Sequence, residues 1–396
     1  MFILMPNFKL TNIIERSSMN RILFDLWQAQ PLAGWKFHGG GEYIKSVFRY
    51  LLENFEDRTS VSVFYDPELY IDDWIKELLS LKKISIFHIK KESDIQNILE
   101  KKRFDVFYSG LPYAYGEMKI PPKTFFCGTI HGLRQIEKPS DLYSCKYRRT
   151  IKPLIAYFFQ NFLKRRAINK YGRTIAKLDS IFCVSNHTKY AVKNFFPNLD
   201  KPIYTFYTPQ KVAETCDLEH SGVSGKFILL ISCNRFEKNS YRAIRALDGL
   251  FTKGLLQKYK VIAVGKLPKK IAGTINNSNR FINLDYVSTQ KLEGLYADCD
   301  FFLYPTLNEG FGMPPLEAMK YGKTCVVSGV CSVPEICGDA VYYINPYDIQ
   351  EMQTRILFAA ENKIPTERIA ERLRLISEKQ NADLNALCKH LVGLSG

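Results

Sequence analysis

Between Phe301 and Met319 the chain runs from four consecutive apolar or aromatic residues, Phe301-Phe302-Leu303-Tyr304, through a glycine-bearing loop to a segment opened by Pro314 and Pro315. An unbroken apolar run of that length suits a strand buried on both faces of a parallel sheet, and proline is at home in the first turn of a helix. Strand, glycine loop and helix in that order make a βα corner at the C-terminal edge of a sheet. There, backbone N–H groups and the positive helix end gather anions, usually phosphates. Two glutamates stand eight positions apart in the corner, Glu309 on the loop and Glu317 in what reads as the first turn of the helix. Like charge keeps carboxylates off a phosphate, so they are read as acceptors for hydroxyl groups. The corner predicts a ligand that carries both phosphate and sugar.

The same alternation runs through the chain and predicts an α/β protein with parallel sheets covered by helices on both faces. Expected strands in the first half are Arg21–Leu26, Val61–Tyr65, Lys83–Ile89, Val106–Ser109, Thr124–Ile130 and Ser180–Val184. A loop with Gly39-Gly40-Gly41 is expected before a helix from about Glu42 to Asn54. A second series is expected at Lys226–Cys233, Tyr259–Val264, Phe281–Leu284, Asp300–Tyr304, Thr324–Ser328 and Ala340–Ile344. Between the two series, Pro209, Gly222, Ser224 and Gly225 sit in a stretch without period. The predicted division is a first domain at 1–206, a linker at 207–225, a second domain at 226–378 and a terminal segment at 379–396 that is helical from about Asp383. Residues 1–18 read as an extension ahead of the first strand. With 396 residues two cores are the ordinary expectation, and a cleft between two domains is where ligands bind.

The balance of 55 Lys and Arg against 40 Asp and Glu leaves a net charge of +15, which favours anionic partners. The apolar runs are strand-sized, well short of the roughly 18–20 residues of a membrane span. No signal peptide is expected, because the start lacks a basic leader. The ten cysteines include no CxxC pair, and Cys183, Cys233 and Cys325 sit in apolar runs, as reduced cytoplasmic thiols do. Cys325, Cys331 and Cys337 are evenly spaced but have no histidine among them, so no metal site is expected.

After the expected strand at Lys226 comes Asn234-Arg235-Phe236-Glu237-Lys238-Asn239, two cations at the same sheet edge as the glutamate corner. A planar fork and a point charge together suit a diphosphate. With these residues in view, the corner resembles the E-x7-E motif of retaining GT-B glycosyltransferases, the family-4-like "group 1" enzymes. The likeness extends to Leu284-Asp285-Tyr286-Val287, Leu295-Tyr296 and Val333-Pro334-Glu335-Ile336, and to His131-Gly132 and Ser185-Asn186 in the first half.

The resemblance implies two Rossmann-like domains whose parallel sheets face across a cleft, with the chain's end packing back on the first domain. It implies that Glu309 contacts hydroxyls of a donor sugar and that backbone N–H groups at Phe311, Gly312 and Met313 line the sugar and its phosphate. Glu317 would hold the ribose, with Val287 nearby on the donor side. Arg235 and Lys238 would neutralise the departing diphosphate. Gly40 and Gly41 would let the first-domain backbone come close to it, and His131 would reach the reacting centre from across the cleft. This chain departs from the common pattern in the short Arg–Lys spacing and in Asn234 where a glycine is usual. The implied reaction is retaining, metal-independent transfer of a hexose from a nucleotide diphosphate sugar, GDP-mannose or a UDP-hexose, to a glycan or lipid-linked acceptor in bacterial surface polysaccharide or lipopolysaccharide synthesis. No cofactor is expected beyond the nucleotide sugar as co-substrate, and no nucleic-acid partner. A sugar-nucleotide epimerase or hydrolase on the same fold, and a non-catalytic glycan- or membrane-binding protein, are the rival readings.

Other signals are weaker. Asp298-Cys299-Asp300 matches D-x-D but stands at a helix–strand junction, where aspartate caps turns. Gly322-Lys323-Thr324 lacks the earlier glycine of a P-loop. Ile151, Leu154, Ile155, Phe158, Phe159 and Phe162 fall on one helical face with many Lys and Arg around them in 146–173. The first expectation is a core helix with solvated flanks. The second is a helix lying on an anionic membrane, which would make the protein cytoplasmic and peripheral on the inner face.

Overall fold

The computed structural model describes residues 20–31, 38–138, 141–148, 150–211 and 217–393. The extension expected at 1–18, Arg149 of the basic stretch and part of the expected linker lie outside the described residues.

The first sheet holds β1 (Asn20–Asp25), β2 (Thr59–Tyr65), β3 (Ser85–His88), β4 (Val106–Ser109), β5 (Phe125–Ile130), β6 (Ser180–Cys183) and β7 (Ile203–Thr205), in the order 3-2-1-4-5-6-7. The second holds β8 (Lys226–Leu230), β9 (Tyr259–Val264), β10 (Phe281–Leu284), β11 (Phe301–Tyr304), β12 (Thr324–Ser328) and β13 (Tyr342–Ile344), in the order 10-9-8-11-12-13. Neighbours pair in parallel throughout, as in β1 with β2 and β4, and β11 with β8 and β12. The apolar run at Phe301–Tyr304 is buried from end to end, as a central parallel strand with helices on both faces must be. In each sheet the winding reverses once, between β1 and β4 and between β8 and β11. Ligands of such sheets bind outside the strand ends at that reversal.

Three features depart from expectation. The short β7 gave no sequence signal, since three residues cannot display a period. The triple glycine is not a loop: Gly39 opens the helix Gly39–Asn54, and His38 Nδ1 accepts from the Gly41 N–H at 3.1 Å as its cap. The chain's end is one continuous helix, Thr366–Leu391, so the boundary expected at 378/379 falls inside it.

That last helix touches both domains. Near its start Arg372 Nε donates to Ile336 O at 2.8 Å in the second. Further on, Gln380 Nε2 and Asp383 Oδ2 engage Thr208 O and the Tyr207 N–H at 2.6 and 2.8 Å. At its end the His390 ring lies edge-on to Phe182, 5.2 Å between centroids, in the first. The apolar core follows it, running as one cluster from Ile22 and Phe48 through Phe206 and Leu387 to Phe302 and Val327.

The six apolar residues at 151–162 are not core. The chain makes two helices here, Lys152–Phe158 and Gln160–Lys177, and Ile151, Phe158, Phe159 and Phe162 are 71%, 73%, 59% and 63% exposed. The core expectation fails because an amphipathic period shows only that one face is apolar; it does not show what covers that face. Among the described residues, no helix is long and apolar enough to cross a membrane.

Asp298 and Asp300 have separate structural partners. Asp298 Oδ2 accepts from the Ser221 N–H at 2.6 Å, and Asp300 Oδ2 from Tyr259 Oη at 2.8 Å and Lys363 Nζ at 2.5 Å. No group of His, Cys, Asp and Glu among the described residues could hold a metal ion. The described cysteines, Cys325, Cys331 and Cys337 included, are free thiols.

Candidate active site

The loops after β8 and β11 flank the reversal of the second sheet and are stitched to each other. The Glu237 carbonyl accepts from the Leu307 N–H at 2.8 Å and from Thr306 Oγ1 at 3.0 Å. Ser232 and Asn239, which bracket the cation loop, both have left-handed backbones with φ of 53° and 58°. Such conformations are costly outside glycine and persist where the surroundings impose them, often at functional sites. Asn239 is fixed by a bond from Nδ2 to Pro346 O at 2.7 Å.

These loops bring Lys238 and Glu309 into direct contact. Lys238 Nζ donates to Glu309 Oε1 at 2.5 Å, and Tyr304 Oη and Thr306 Oγ1 donate to the same oxygen at 2.7 and 2.9 Å. Both side chains are buried, Lys238 at 7% and Glu309 at 8% exposure. Burial alone would raise the Glu309 carboxyl, but the charges of Lys238 and Arg134 prevail and hold it below its usual range. Burial also draws the Lys238 ammonium below its ordinary value. Glu309 is therefore an ionised carboxylate in a buried pair.

The glutamates are less free than their sequence suggests. Glu309 Oε1 is saturated, whereas Oε2 has no described hydrogen-bond partner. Glu317 is the fifth residue of the helix Met313–Met319, past its first turn. Its Oε1 pairs with Lys211 from the interdomain segment, and its Oε2 accepts from Tyr296 Oη at 3.0 Å. The sequence does not mark Lys211, Tyr296, Tyr304 and Thr306 as partners of these glutamates. Each meets its glutamate only after folding, and their spacing along the chain carries no signal of it.

Gly312 has φ of 109°, a left-handed conformation that glycine adopts without strain and that turns the loop into the helix. Pro314 and Pro315 have no N–H to offer, so the donors at this corner are the amides of Phe311, Gly312 and Met313. None of the three donates to an acceptor among the described residues. Ser332 Oγ holds the loop from behind, donating to Glu309 O and Phe311 O at 3.1 and 2.7 Å. Val287 lies in the loop after β10, at the same edge of the sheet, and packs against the core.

The first domain closes directly onto this corner. A methyl group on Gly310 would lie 1.6 Å from His131 O, so only glycine lets the two backbones meet. Ser185 Oγ donates to Gly310 O at 2.7 Å, and Glu335 accepts from the Asn186 and His187 N–H groups at 2.8 and 2.9 Å and from Tyr207 Oη at 2.8 Å. His131 Nε2 meets Gly110 O at 2.9 Å, which leaves Nδ1 as the acceptor of a neutral ring. Burial pushes that ring down to about 4, so it is uncharged at neutral pH. Gly40 and Gly41 lie in the first turn of Gly39–Asn54, where a methyl group would come within 2.7 Å of Leu111 and of Ala29 O respectively. No described contact joins them to Arg235 or Lys238.

Arg235 Nε and Nη2 both donate to Glu237 Oε1, at 3.0 and 2.6 Å. Arg134 of the first domain reaches the same oxygen through Nη1 at 3.2 Å. Burial would raise Glu237, but Arg235 and then Arg134 hold its carboxyl at about 2. Fixed cations, free amides and an ionised carboxylate, facing a neutral histidine across a closed cleft, can bind a diphosphate and stabilise positive charge beside it.

Residues 219–376 match the family "Glycosyl transferases group 1". The serotype-specific mannosyltransferase WbdA of Escherichia coli is 30% identical over 136 residues, which are 32% of this chain and 17% of that protein. The O-antigen chain mannosyltransferase B of Escherichia coli is 45% identical over 74 residues, 19% of each chain. The match thus spans about a sixth to a fifth of these relatives. The structure of Anabaena HepE in complex with UDP and glucose superposes with a TM-score of 0.58 at 16% identity, covering 92% of this chain and 95% of that one. Such likeness shows the fold, which is GT-B. Residues 219–376, under half of this chain, are thus similar to the glycosyl transferases group 1.

Proposed function

We propose that the protein is a retaining hexosyltransferase that takes its sugar, mannose in the first instance, from a nucleotide diphosphate donor and gives it to a glycan or lipid-linked acceptor of a surface polysaccharide. The observation that carries this reading is the meeting of Lys238 and Glu309 at the reversal of the second sheet, directly opposite His131. The mannosyltransferase relatives and the UDP held by HepE support the choice of sugar and of donor class.

Breaking the sugar–phosphate bond builds negative charge on the diphosphate and positive charge on the ring. Arg235 and the amides of Phe311, Gly312 and Met313 receive the first, with Lys238 adding its charge from behind Glu309. Preorganised donors of this kind stabilise developing charge without reorganisation at the moment of reaction, and their fixed charge does the work a metal ion would do elsewhere. Glu309 remains ionised and stabilises the ring electrostatically. The Lys238 charge and three hydrogen bonds to Oε1 lower the basicity of the whole delocalised carboxylate, which blunts it as a covalent nucleophile, so attack from the face the diphosphate leaves accounts for retention. Glu317 takes the ribose hydroxyls when Lys211 gives way to them. His131, neutral, orients the sugar through a hydrogen bond to Nδ1.

The acceptor reaches the cleft from an anionic membrane on the cytoplasmic side. The exposed aromatic residues Phe158, Phe159 and Phe162 beside Lys164, Arg165 and Arg166 support this, since apolar side chains flanked by cations bind anionic bilayers. The test is thermal stabilisation by a panel of nucleotide sugars, followed by NMR of the product anomer. Retained configuration with one donor is expected. Inverted product refutes retention. Conversion of donor with no acceptor present points instead to an epimerase or hydrolase.

A further inference from the structure

Arg134 opens the helix Arg134–Glu137, three residues after His131, on the first-domain loop that leaves β5. It is a first-domain residue whose one described side-chain hydrogen bond is to the second domain. One oxygen, Glu237 Oε1, takes Arg134 Nη1 at 3.2 Å together with Arg235 Nε at 3.0 Å and Nη2 at 2.6 Å. A single carboxylate oxygen is a poor match for two guanidinium forks, which offer five N–H donors each and are shaped for paired oxygens. The mismatch is visible in Arg134 itself: its Nε is enclosed and has no hydrogen-bond partner. Enclosed donors of folded proteins are nearly always satisfied, and one that is not calls for an acceptor. The rest of the side chain is 38% exposed, so that acceptor can reach it. The field of Arg134 also falls on Glu309, Lys238 and Tyr304, which places its charge at the reacting centre and not at the rim of the interface.

We propose that Arg134 is a ligand of the donor diphosphate, delivered across the cleft, and that Glu237 holds its place and that of Arg235 until the donor arrives. This rests on the donor class proposed above. A diphosphate presents several oxygens where Glu237 engages both arginines through one. On binding, the two arginines turn from Glu237 to the phosphates, one fork from each domain. The diphosphate then fastens the cleft that it occupies, and its affinity depends on closure in a way that a nucleoside monophosphate's does not.

The experiment is calorimetric titration of the full-length protein with UDP and GDP, and with UMP and GMP as controls, in wild type and in Arg134→Ala, Arg134→Lys and Glu237→Gln. Arg134→Ala is expected to weaken the diphosphate 10- to 100-fold and the matching monophosphate less than threefold, and lysine to recover only part of the loss. Glu237→Gln releases both arginines and is expected to tighten the diphosphate several-fold. If Arg134 is only a clasp between domains, Arg134→Ala and Glu237→Gln weaken mono- and diphosphate alike, and the inference is overturned. Undiminished diphosphate binding by Arg134→Ala overturns it equally. Wild-type protein that binds neither UDP nor GDP overturns the donor reading first, and this inference with it.

Discussion

Replacing Glu309 with glutamine should cost stability as well as turnover. The carboxylate is the counter-ion of Lys238, and the pair is buried, with Nζ and Oε1 2.5 Å apart. Glutamine keeps the shape and an acceptor for Tyr304 and Thr306 but leaves an ammonium group without its counter-charge. Breaking a buried pair from one side costs about 3–5 kcal/mol, and the lower figure applies here because the neutral acceptor survives. For a domain of this size about 3 kcal/mol corresponds to a fall in Tm of roughly 6–12 °C. Differential scanning calorimetry is the right assay, because the three tryptophans, Trp27, Trp35 and Trp74, all precede the second domain. Fluorescence would report the wrong half. Adding Lys238→Met to the glutamine variant removes the stranded charge and should restore most of the lost Tm, since an apolar replacement of a buried pair is often neutral. Activity should stay lost in both. An unshifted transition in Glu309→Gln, or no recovery in the double variant, would refute the buried-pair reasoning.

Arg235→Ala should lower kcat/KM by about 10²–10³-fold through loss of charge stabilisation in the transition state, and lower Tm only slightly, because Glu237 keeps Arg134 as a partner; steady-state kinetics beside calorimetry checks both. Gly310→Ala places a methyl group 1.6 Å from His131 O, so the cleft should stay open; X-ray scattering should show a larger radius of gyration and assays little activity. Burial raises the Asp25 carboxyl from 3.8 to about 6, against bonds from Ser109 and Tyr115. With the folded value above the unfolded one, its contribution is full below about pH 4 and lost as pH rises through 6, a cost of about 3 kcal/mol at neutrality. Asp25→Asn should flatten that part of the stability–pH curve, as read by urea denaturation from pH 4 to 7. Phe158→Ser with Phe162→Ser should abolish salt-sensitive flotation with vesicles containing an anionic phospholipid, while wild type floats.

Much of the architecture was legible because parallel strands covered on both faces must be apolar throughout. Phe301–Tyr304 and residues 261–264 announced themselves in that way, and two prolines after Gly312 marked a helix start. The glutamate pair and the cations stood at the right ends of strands for the same reason. The triple glycine misled because glycine fits a loop and a crowded helix start equally well, and only packing against Leu111 and Ala29 separates the two. The apolar face at 151–162 misled because period reports which side chains share a face, whereas burial depends on what that face meets.

Two wound sheets, and a strand–loop–helix corner that resembles a known motif, could be read from the sequence alone. These follow from local rules of period, turn chemistry and motif spacing. Tertiary structure decided that Glu309 is paired with Lys238, that Glu317 is occupied by Lys211, that Gly310 touches His131 and that Arg134 shares Glu237 with Arg235. Each of these joins residues brought together only when the chain folds or one domain closes on the other. Their charges are set by burial and by neighbours, and neither exists until the chain has folded.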